Sequence, residues 1–277
     1  MRFPGCILFS VSVVLFHSVA ESQTQDNYKL VWSDEFDMNG APDSTKWNYE
    51  KGFVRNEELQ WYQPENAGCE KGMLIIEARR EQKPNPLYEP GSGNWRTKGP
   101  VIQYTSSCLI TKGKQAWRYG RFELRARIDT DPGLWPAWWT LGVEKHWPEN
   151  GEIDIMEYYR DTLLANILCR GKNNSYEWHT TKTGVQKLGG TAWSAKFHTW
   201  RMDWTEEYIA LFVDDSLLNK VAVDSLVNKD GSGFNPFKQP HYMLMNLAIG
   251  GQNGGDPSST AFPKRMEEDY VRVWQEK

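Results

Sequence analysis

The stretch Glu152-Ile-Asp-Ile-Met-Glu157 places three carboxylates within six residues. Strand side chains alternate between the two faces of a sheet, so Glu152 and Asp154 share a face while the isoleucines point the other way. Glu157 falls on the wrong face by this count, and one extra residue, a β-bulge at Met156, would bring it back. Neighbouring carboxylates repel one another, which separates their pKa values as acid/base catalysis requires. The alternative is the solvated face of an ordinary antiparallel strand.

Aromatic residues flank this acidic stretch on both sides and favour the catalytic alternative. Gly133-Leu-Trp-Pro-Ala-Trp-Trp139 precedes it, and Tyr158 and Tyr159 follow it directly. Sugar rings stack on aromatic side chains through their CH faces, and an oxocarbenium-like transition state needs nearby negative charge. The combination predicts a carbohydrate-binding cleft that contains paired carboxyl groups.

The composition and the N-terminus limit the class of protein. The chain has 277 residues with 14 Trp, 12 Tyr and 11 Phe, and its net charge of −4 offers no basic footprint for nucleic acid. Arg2, the apolar run 6–16 and the small residues 18–20 predict a signal peptide over residues 1–20. The apolar run is too short to span a bilayer. We therefore expect an exported, periplasmic or extracellular protein that has no membrane span and acts as a monomer.

Strand patterns recur from Tyr28 to Trp274, after a polar segment, residues 21–27, that predicts a flexible leader. Arg121-Phe-Glu-Leu-Arg-Ala-Arg-Ile128, for example, alternates charged with apolar residues, as one-sided antiparallel strands do. No long amphipathic helix and no linker interrupts the pattern. The sequence therefore predicts one all-β domain, residues 28–277, built as a sandwich of two antiparallel sheets.

Three cysteines, Cys69, Cys108 and Cys169, remain after the predicted signal peptide. An odd number allows at most one disulfide within the chain, which export would permit. The alternative is three small buried thiols in a sandwich core.

The acidic stretch resembles the active-site strand of glycoside hydrolase family 16 in its bulged form, and other segments match in the same order. They are Leu30–Asp37, Asn56–Tyr62, Tyr119–Glu123, Gly133–Ala137 and Asp269–Val273. The resemblance spans residues 28–275 and implies a concanavalin A-like β-jelly-roll with a concave substrate cleft. It also implies a secreted, retaining endo-β-glycosidase that hydrolyses internal linkages of a polysaccharide or long glycan.

The resemblance also assigns catalytic roles. Glu152 would be the nucleophile, Glu157 the general acid/base, and Asp154 would assist by hydrogen bonding to the nucleophile. Retaining enzymes hold the two catalytic carboxyl groups about 5–5.5 Å apart. We expect the negative neighbours to raise the pKa of Glu157, which keeps it protonated before attack. No cofactor is expected for catalysis.

Substrate binding is assigned to aromatic and polar residues near the acidic stretch: Trp135, Trp139, Trp147, Asn56 and Glu58. Spacing alone fits Trp135 and Trp139 equally to a cleft or a core, and the resemblance favours the cleft, with Trp138 on the core side. Trp147 would border the cleft or cap a turn. Asn56 and Glu58 would bond sugar hydroxyls, the alternative being a solvated loop.

Family members often hold a structural calcium ion on the convex side. Glu35 and Asp269 are the candidate oxygen ligands for such an ion. Arg121, Glu123, Arg125 and Arg127 are expected to form a solvated convex face.

Two departures from the laminarinases of this family concern the substrate. The stretch 165–174 lacks their Gly-Thr-x-His motif, and Gly250–Gly255 lacks the Trp of Gly-Gly-Asn-Trp, a loss on the order of 1 kcal/mol in one subsite. His179, beside Trp178, either replaces the missing His or is an ordinary residue. The substrate stays open between a β-galactoside of mucin-type or poly-N-acetyllactosamine chains and a β-1,3/1,4-glucan. The alternatives are a strict endo-β-1,3(4)-glucanase, a transglycosylase and a non-catalytic glycan-binding protein.

Overall fold

The computed structural model describes residues 27–277, so the predicted signal peptide and residues 21–26 of the predicted leader lie outside the described residues. Strands dominate the described chain. They are β1 (Tyr28–Asp34), β2 (Asn48–Tyr49), β3 (Gln60–Tyr62), β4 (Ala67–Glu70), β5 (Met73–Pro84), β6 (Val101–Ser106), β7 (Cys108–Ile110), β8 (Gly120–Ile128), β9 (Leu134–Gly142), β10 (Glu152–Tyr159), β11 (Thr162–Arg170), β12 (Tyr176–Gly184), β13 (His198–Trp204), β14 (Tyr208–Val213), β15 (Ser216–Ala222), β16 (His241–Ile249) and β17 (Lys264–Glu276).

Helices are few and short. In the described part of the chain the α-helices are α1 (Val185–Leu188), α2 (Thr191–Ser194) and α3 (Gly251–Gly254), each one turn long. None of the helices between residues 27 and 277 has the length and apolar character that crossing a membrane requires.

The strands form two sheets that pack face to face. One sheet has the order β15-β14-β13-β8-β17-β5-β6-β3, with β1 beside β17 and β4 beside β5, and the other has the order β12-β11-β10-β9-β16-β7-β2. The neighbours are antiparallel except for β3 and β6, which are parallel. This architecture confirms the predicted all-β jelly-roll sandwich.

The alternation in β8 and β10 builds the core between the sheets. Phe122 and Leu124 of β8 lie in one apolar cluster with Ile153 and Ile155 of β10. Burying side chains of this size stabilises the fold by about 1.5–3 kcal/mol each. The remaining face of β10 is thereby turned away from the core.

The charged residues of β8 take the other face, as predicted. Arg121 pairs with Asp203 on β13 at 2.6 Å, and Arg125 pairs with Asp269 on β17 at 2.5 Å. Both pairs are partly exposed to solvent, and ion pairs near the surface are typically worth about 0–1 kcal/mol each. The convex sheet is thus a solvated, ion-paired surface.

The calcium assignment is not supported by the geometry of its two candidate ligands. Glu35 accepts two hydrogen bonds from Arg272, at 2.9 and 2.7 Å, and this pairing lowers the pKa of Glu35. Asp269 is held by Arg125 instead. Neither carboxylate belongs to a cluster of three or more His, Cys, Asp or Glu side chains within residues 27–277. Each acid is paired with its own arginine in this structure, and the calcium assignment stays a prediction.

The cysteines form no disulfide within residues 27–277, so the alternative of three small buried thiols is confirmed. Cys69, Cys108 and Cys169 are buried free thiols. Burial raises the pKa of the Cys69 and Cys169 thiols to about 11, which keeps them protonated and unreactive at neutral pH.

Candidate active site

A β-bulge in β10 brings the outer two carboxylates onto one face. Glu152 lies opposite Leu168 of β11 and Glu157 lies opposite Leu164, so five steps along β10 match four steps along β11. The same offset occurs against β9. Since an even number of steps preserves the face, Glu157 returns to the side of Glu152. The predicted bulge is therefore confirmed.

The bulge spans Ile155 and Met156 and is anchored in the core. Against β9, Met156 pairs with Trp138 and Ile155 is left unpaired, whereas against β11 both residues lie in the irregular stretch between Asp154 and Glu157. Both side chains are fully buried in the core between the sheets. Apolar burial on that side holds the bulge, and the carboxylates are left to the opposite face.

The entry to β10 is fixed by Gly151. Its φ of 72° is a left-handed conformation, and a Cβ at this position would lie 2.7 Å from the Cβ of Pro236. Only glycine meets both conditions without a shift of the surrounding backbone. The turn at Gly151 therefore fixes the position at which β10 begins and at which Glu152 lies.

Two indole N–H groups hold the outer carboxylates from opposite sides. Trp135 Nε1, on β9, donates to Glu157 Oε1 at 2.8 Å. Trp147 Nε1, in the loop between β9 and β10, donates to Glu152 Oε2 at 2.6 Å. Each carboxyl group thus has one oxygen fixed by a donor that cannot accept a proton in return.

Asn166 of β11 links the middle acid to the last one. Its Nδ2 donates to Asp154 Oδ2 at 2.9 Å and to Glu157 Oε2 at 2.8 Å. Asp154 also hydrogen-bonds to Glu152, and this bond lowers the pKa of Glu152 and raises that of Asp154. The three carboxyl groups are therefore linked to one another, directly or through the Asn166 amide.

Burial is the main cause of the raised pKa values in this triad. It raises the pKa of Glu157 to about 8, with a further rise from the charge of Asp154, while hydrogen bonds from Trp135 and Asn166 act downward. Burial also raises the pKa of Glu152 to about 7 and that of Asp154 well above its usual range. The sequence predicted the rise at Glu157 but attributed it to charge, which is the smaller cause.

Trp135 and Trp139 lie on the face of the carboxylates, whereas Trp138 is in the core. They are only 6% and 8% exposed. Trp139 donates its Nε1 to Asn246 Oδ1 at 2.7 Å, and the Arg55 guanidinium lies 5.0 Å from its ring centroid. Little of either ring is free for stacking, so both are better placed to position polar groups than to bind a sugar face.

The loop that carries Asn56 and Glu58 packs against the glycine-rich segment after β16. Glu58 is 3% exposed, and its oxygens accept from Gln60 Nε2 at 2.7 Å and Asn56 Nδ2 at 3.3 Å. Burial raises the pKa of Glu58. Asn56 is exposed, so Glu58 orients the loop and Asn56 is the member that faces solvent.

His179 does not lie on the carboxylate face. It pairs with Ile167, whose side chain is in the core, whereas Trp178 pairs with Leu168 on the face of Glu152. Adjacent strand residues point in opposite directions, so the two could not act together in the cleft. His179 as a replacement for the missing family His is therefore wrong.

One cluster of metal-type side chains occurs within residues 27–277, on the core side of β11 and β12. Cys169, Glu177 and His179 have their ligand atoms within 4.8 Å of one another. Glu177 is already paired with Lys229, and the Cys169 thiol is protonated at neutral pH. The cluster is not part of the carboxylate site.

Sequence reasoning missed Asn166 and Arg55. Asn166 is in the stretch that was noted only for the motif it lacks, although pairing β11 with β10 would have placed it opposite Asp154. Arg55 is half-buried and pairs with Glu50, whose charge raises the pKa of Arg55 and keeps it positively charged beside Trp139. No local pattern marks either residue.

Comparisons with known proteins agree with this geometry. The family model for glycosyl hydrolases family 16 matches residues 58–272. A β-glucanase of Rhodothermus marinus is 38% identical over 96% of this chain and 93% of its own length. A keratan-sulfate endo-1,4-β-galactosidase of Sphingobacterium multivorum is 28% identical over 90% of this chain and 56% of its own. A solved structure from work on endo-acting O-glycanases, with which human gut bacteria initiate mucin breakdown, superposes with a TM-score of 0.81. It is 31% identical and covers 91% of this chain and 92% of the other.

Proposed function

The chain belongs to glycosyl hydrolase family 16, and from this premise we propose that it is a retaining endo-β-glycosidase with Glu152 as nucleophile and Glu157 as general acid/base. The observation that supports these roles most strongly is the bulge. It places both carboxyl groups on one face of one strand, each held by a different indole donor. Retaining glycosidases need two carboxyl groups of this kind, one ionised and one protonated.

In the first half of the reaction, the ionised Glu152 attacks the anomeric carbon of the sugar above it. Glu157 transfers its proton to the glycosidic oxygen as the bond to the leaving sugar breaks. The products are a glycosyl ester on Glu152 and a free sugar hydroxyl. A Glu157 pKa of about 8 keeps the donor mostly protonated at neutral pH, while Glu152, with a pKa raised to about 7, loses its proton before Glu157 does as pH rises.

In the second half, the ionised Glu157 takes a proton from a water molecule that attacks the same anomeric carbon. The ester bond breaks, Glu152 leaves as a carboxylate, and Glu157 is again protonated. Two displacements at one carbon retain its configuration. Asp154 supports both halves as a positioning residue, because it hydrogen-bonds to Glu152 and shares the Asn166 amide with Glu157.

For the substrate, we favour β-galactosides within mucin-type or poly-N-acetyllactosamine glycans. The segment Gly250–Gly255 has no aromatic side chain, and this supports a substrate other than laminarin. The similarity to the O-glycanase structure and to the keratan-sulfate endo-β-galactosidase supports the same class. The second candidate is a β-1,3(4)-glucan, which the higher identity to a β-glucanase supports.

A product profile separates the two substrates. Purified residues 21–277 would be incubated with mucin O-glycans, poly-N-acetyllactosamine, laminarin and mixed-linkage β-glucan. The proposal expects internal cleavage of the galactoside chains and none by Glu152→Gln. Cleavage of the glucans alone would replace the substrate assignment and leave the catalytic assignment intact. No cleavage of any glycan by the unchanged enzyme would contradict the proposed function.

We also propose export of the protein, as a monomer, through cleavage of residues 1–20. Support comes from the order of a basic residue, an apolar run and small residues at the N-terminus. Expression of the full chain in a bacterial host with N-terminal sequencing of the exported product tests this. A product that stays in the cytoplasm with residues 1–20 attached would contradict it.

A further inference from the structure

Three solvent-exposed aromatic side chains lie together beside the catalytic carboxylates. Trp147, Tyr176 and Trp178 are 46%, 53% and 44% exposed. The Trp147 and Tyr176 rings have centroids 4.9 Å apart at an interplanar angle of 46°. We call these three residues the aromatic rim. Clustered exposed rings of this size usually mark a binding surface.

The strand register places the rim on the face of the active site. Glu152 of β10 lies opposite Leu168 of β11, and Leu168 lies opposite Trp178 of β12. Residues in one such row share a face, and two strand spacings separate Glu152 from Trp178 by roughly 10 Å. Tyr176 is two residues from Trp178 on the same strand and faces the same way. A sugar that contacts these rings therefore lies beyond the ring bound directly over the carboxylates.

Direct contacts connect the rim to the catalytic machinery. The Nε1 of Trp147 donates to Glu152 at 2.6 Å, while its ring touches Tyr176. The rim is thus continuous with the catalytic face. It lies across β10 from Trp135 and Trp139, which are on β9.

Polar residues continue the same face of β12 toward the other catalytic acid. Thr180 lies opposite Asn166, and Lys182 lies opposite Leu164, which itself faces Glu157. Both are exposed. Aromatic rings at one end of the strand and hydroxyl and ammonium donors at the other suit a sugar, which offers CH faces and hydroxyl groups together.

We propose that the aromatic rim is a glycan-binding subsite for the part of the substrate that lies across the cleaved bond from Trp135 and Trp139. This inference rests on the proposed function and extends it. A substrate whose reacting sugar lies over the carboxylates of β10 must continue past the cleaved bond to reach the exposed rings on β12. The rim therefore accounts for internal cleavage and selects chains that extend beyond the sugar over the carboxylates.

Glycan binding by inactive enzyme tests the rim independently of catalysis. Mucin O-glycans, poly-N-acetyllactosamine and laminarin would be titrated by calorimetry into Glu152→Gln and into the double variant with Trp178→Ala. We expect Trp178→Ala to weaken binding of the preferred glycan about threefold to tenfold, and Trp178→Phe, which keeps a ring, to weaken it less than twofold. Leu217→Ala, at an exposed position of β15 in the other sheet, is the control and should leave binding unchanged.

Comparing kcat/KM on two substrates gives a second test, because a merely structural role of Trp178 would affect both substrates alike. A β-glycosyl fluoride has a single-atom leaving group and cannot reach the rim. Trp178→Ala should therefore lower kcat/KM on the glycan about threefold to tenfold and leave kcat/KM on a laminaribiosyl or lactosaminyl-galactosyl β-fluoride unchanged. Equal losses on both substrates, unchanged glycan affinity, or no glycan binding by either inactive variant would each overturn the subsite. Failure of the unchanged enzyme to cleave any glycan would instead contradict the proposed function.

Discussion

Trp135 on β9 and Glu157 on β10 are joined by a 2.8 Å hydrogen bond from the indole Nε1 to the carboxylate Oε1. The bond favours the ionised form of Glu157, whereas burial favours the protonated form by a larger amount. The pKa of the acid is thus set by two opposed effects that arise from the same packed face. Removing the indole donor while keeping the site buried tests whether these two effects set the pKa of Glu157.

Substituting Trp135→Phe removes the donor and keeps an aromatic ring at the position. The pKa of Glu157 should then rise, because a bond to its charged form is lost. The alkaline limb of the kcat/KM profile, where the general acid loses its proton, should move upward by as much as about one pH unit. Initial rates from pH 5 to 10 measure this shift. A downward shift would contradict the assignment of Glu157 as the acid.

The unchanged enzyme should show a bell-shaped pH dependence of kcat/KM. Activity requires Glu152 ionised and Glu157 protonated, and their pKa values are raised to about 7 and about 8. We therefore expect the maximum between these values, well above the range of ordinary carboxyl groups. A profile with its acid limb near pH 4 would show that burial does not govern Glu152 in the working enzyme.

Protein stability should fall as pH rises toward 8, because Glu157 holds its proton more tightly when folded than when unfolded. An unfolded carboxyl group ionises near pH 4.3, so between there and about pH 8 the folded state binds more protons. The stabilisation from this tighter proton binding is fully present below about pH 4.3. It decreases as the pH rises and is lost once the pH passes the pKa of Glu157 in the folded protein.

The variant Glu157→Gln removes that titration and should flatten the pH dependence of stability. Its free energy of unfolding relative to the unchanged enzyme should improve by a few kcal/mol between pH 5 and pH 8. Urea unfolding of both proteins at pH 5 and at pH 8 measures this difference in free energy. Any cost of fitting glutamine in place of glutamate is the same at both pH values and therefore cancels in the comparison. If Glu157→Gln changed the free energy of unfolding equally at pH 5 and pH 8, the raised pKa of Glu157 would be contradicted.

Asn166→Ala should lower kcat through positioning, since its amide touches both Asp154 and Glu157. Losing a hydrogen bond to a charged group costs about 1.5–3 kcal/mol, which corresponds to a roughly tenfold to hundredfold loss. The pH profile should also shift upward because a donor to Glu157 is removed. Asn219→Ala is the control, as Asn219 bonds only the backbone oxygens of Ala165 and His179, and its pH profile should not move.

The catalytic face could be predicted from sequence because its determinants are local. Alternation and one bulge account for Glu152, Asp154 and Glu157, and the same alternation separates Trp138 from its neighbours. Whether Ile155 alone or Ile155 together with Met156 is left unpaired depends on the pairing with β9 and β11, which is a non-local feature.

The errors and omissions involve residues from other strands. Asn166 acquires its role only when β11 pairs with β10, and the ion pair of Glu35 forms only because Arg272 of β17 reaches it. The hypothesis that His179 acts in the cleft together with Trp178 could have been rejected from sequence, because adjacent residues of a strand face opposite ways. The sequence named Trp147 as a residue that could border the cleft, but its contact with Tyr176 depends on the packing of the loop before β10 against β12.

Trapping the glycosyl-enzyme tests the central claim most directly. Glu157→Gln would be treated with the β-glycosyl fluoride that matches the cleaved glycan, because fluoride leaves without a general acid while the missing base slows hydrolysis of the ester. Mass spectrometry of the protein and its peptides should show one added glycosyl group on the peptide at Glu152, and none in the double variant with Glu152→Gln. An adduct on Asp154, or fluoride release without any adduct and with inverted product, would contradict the account.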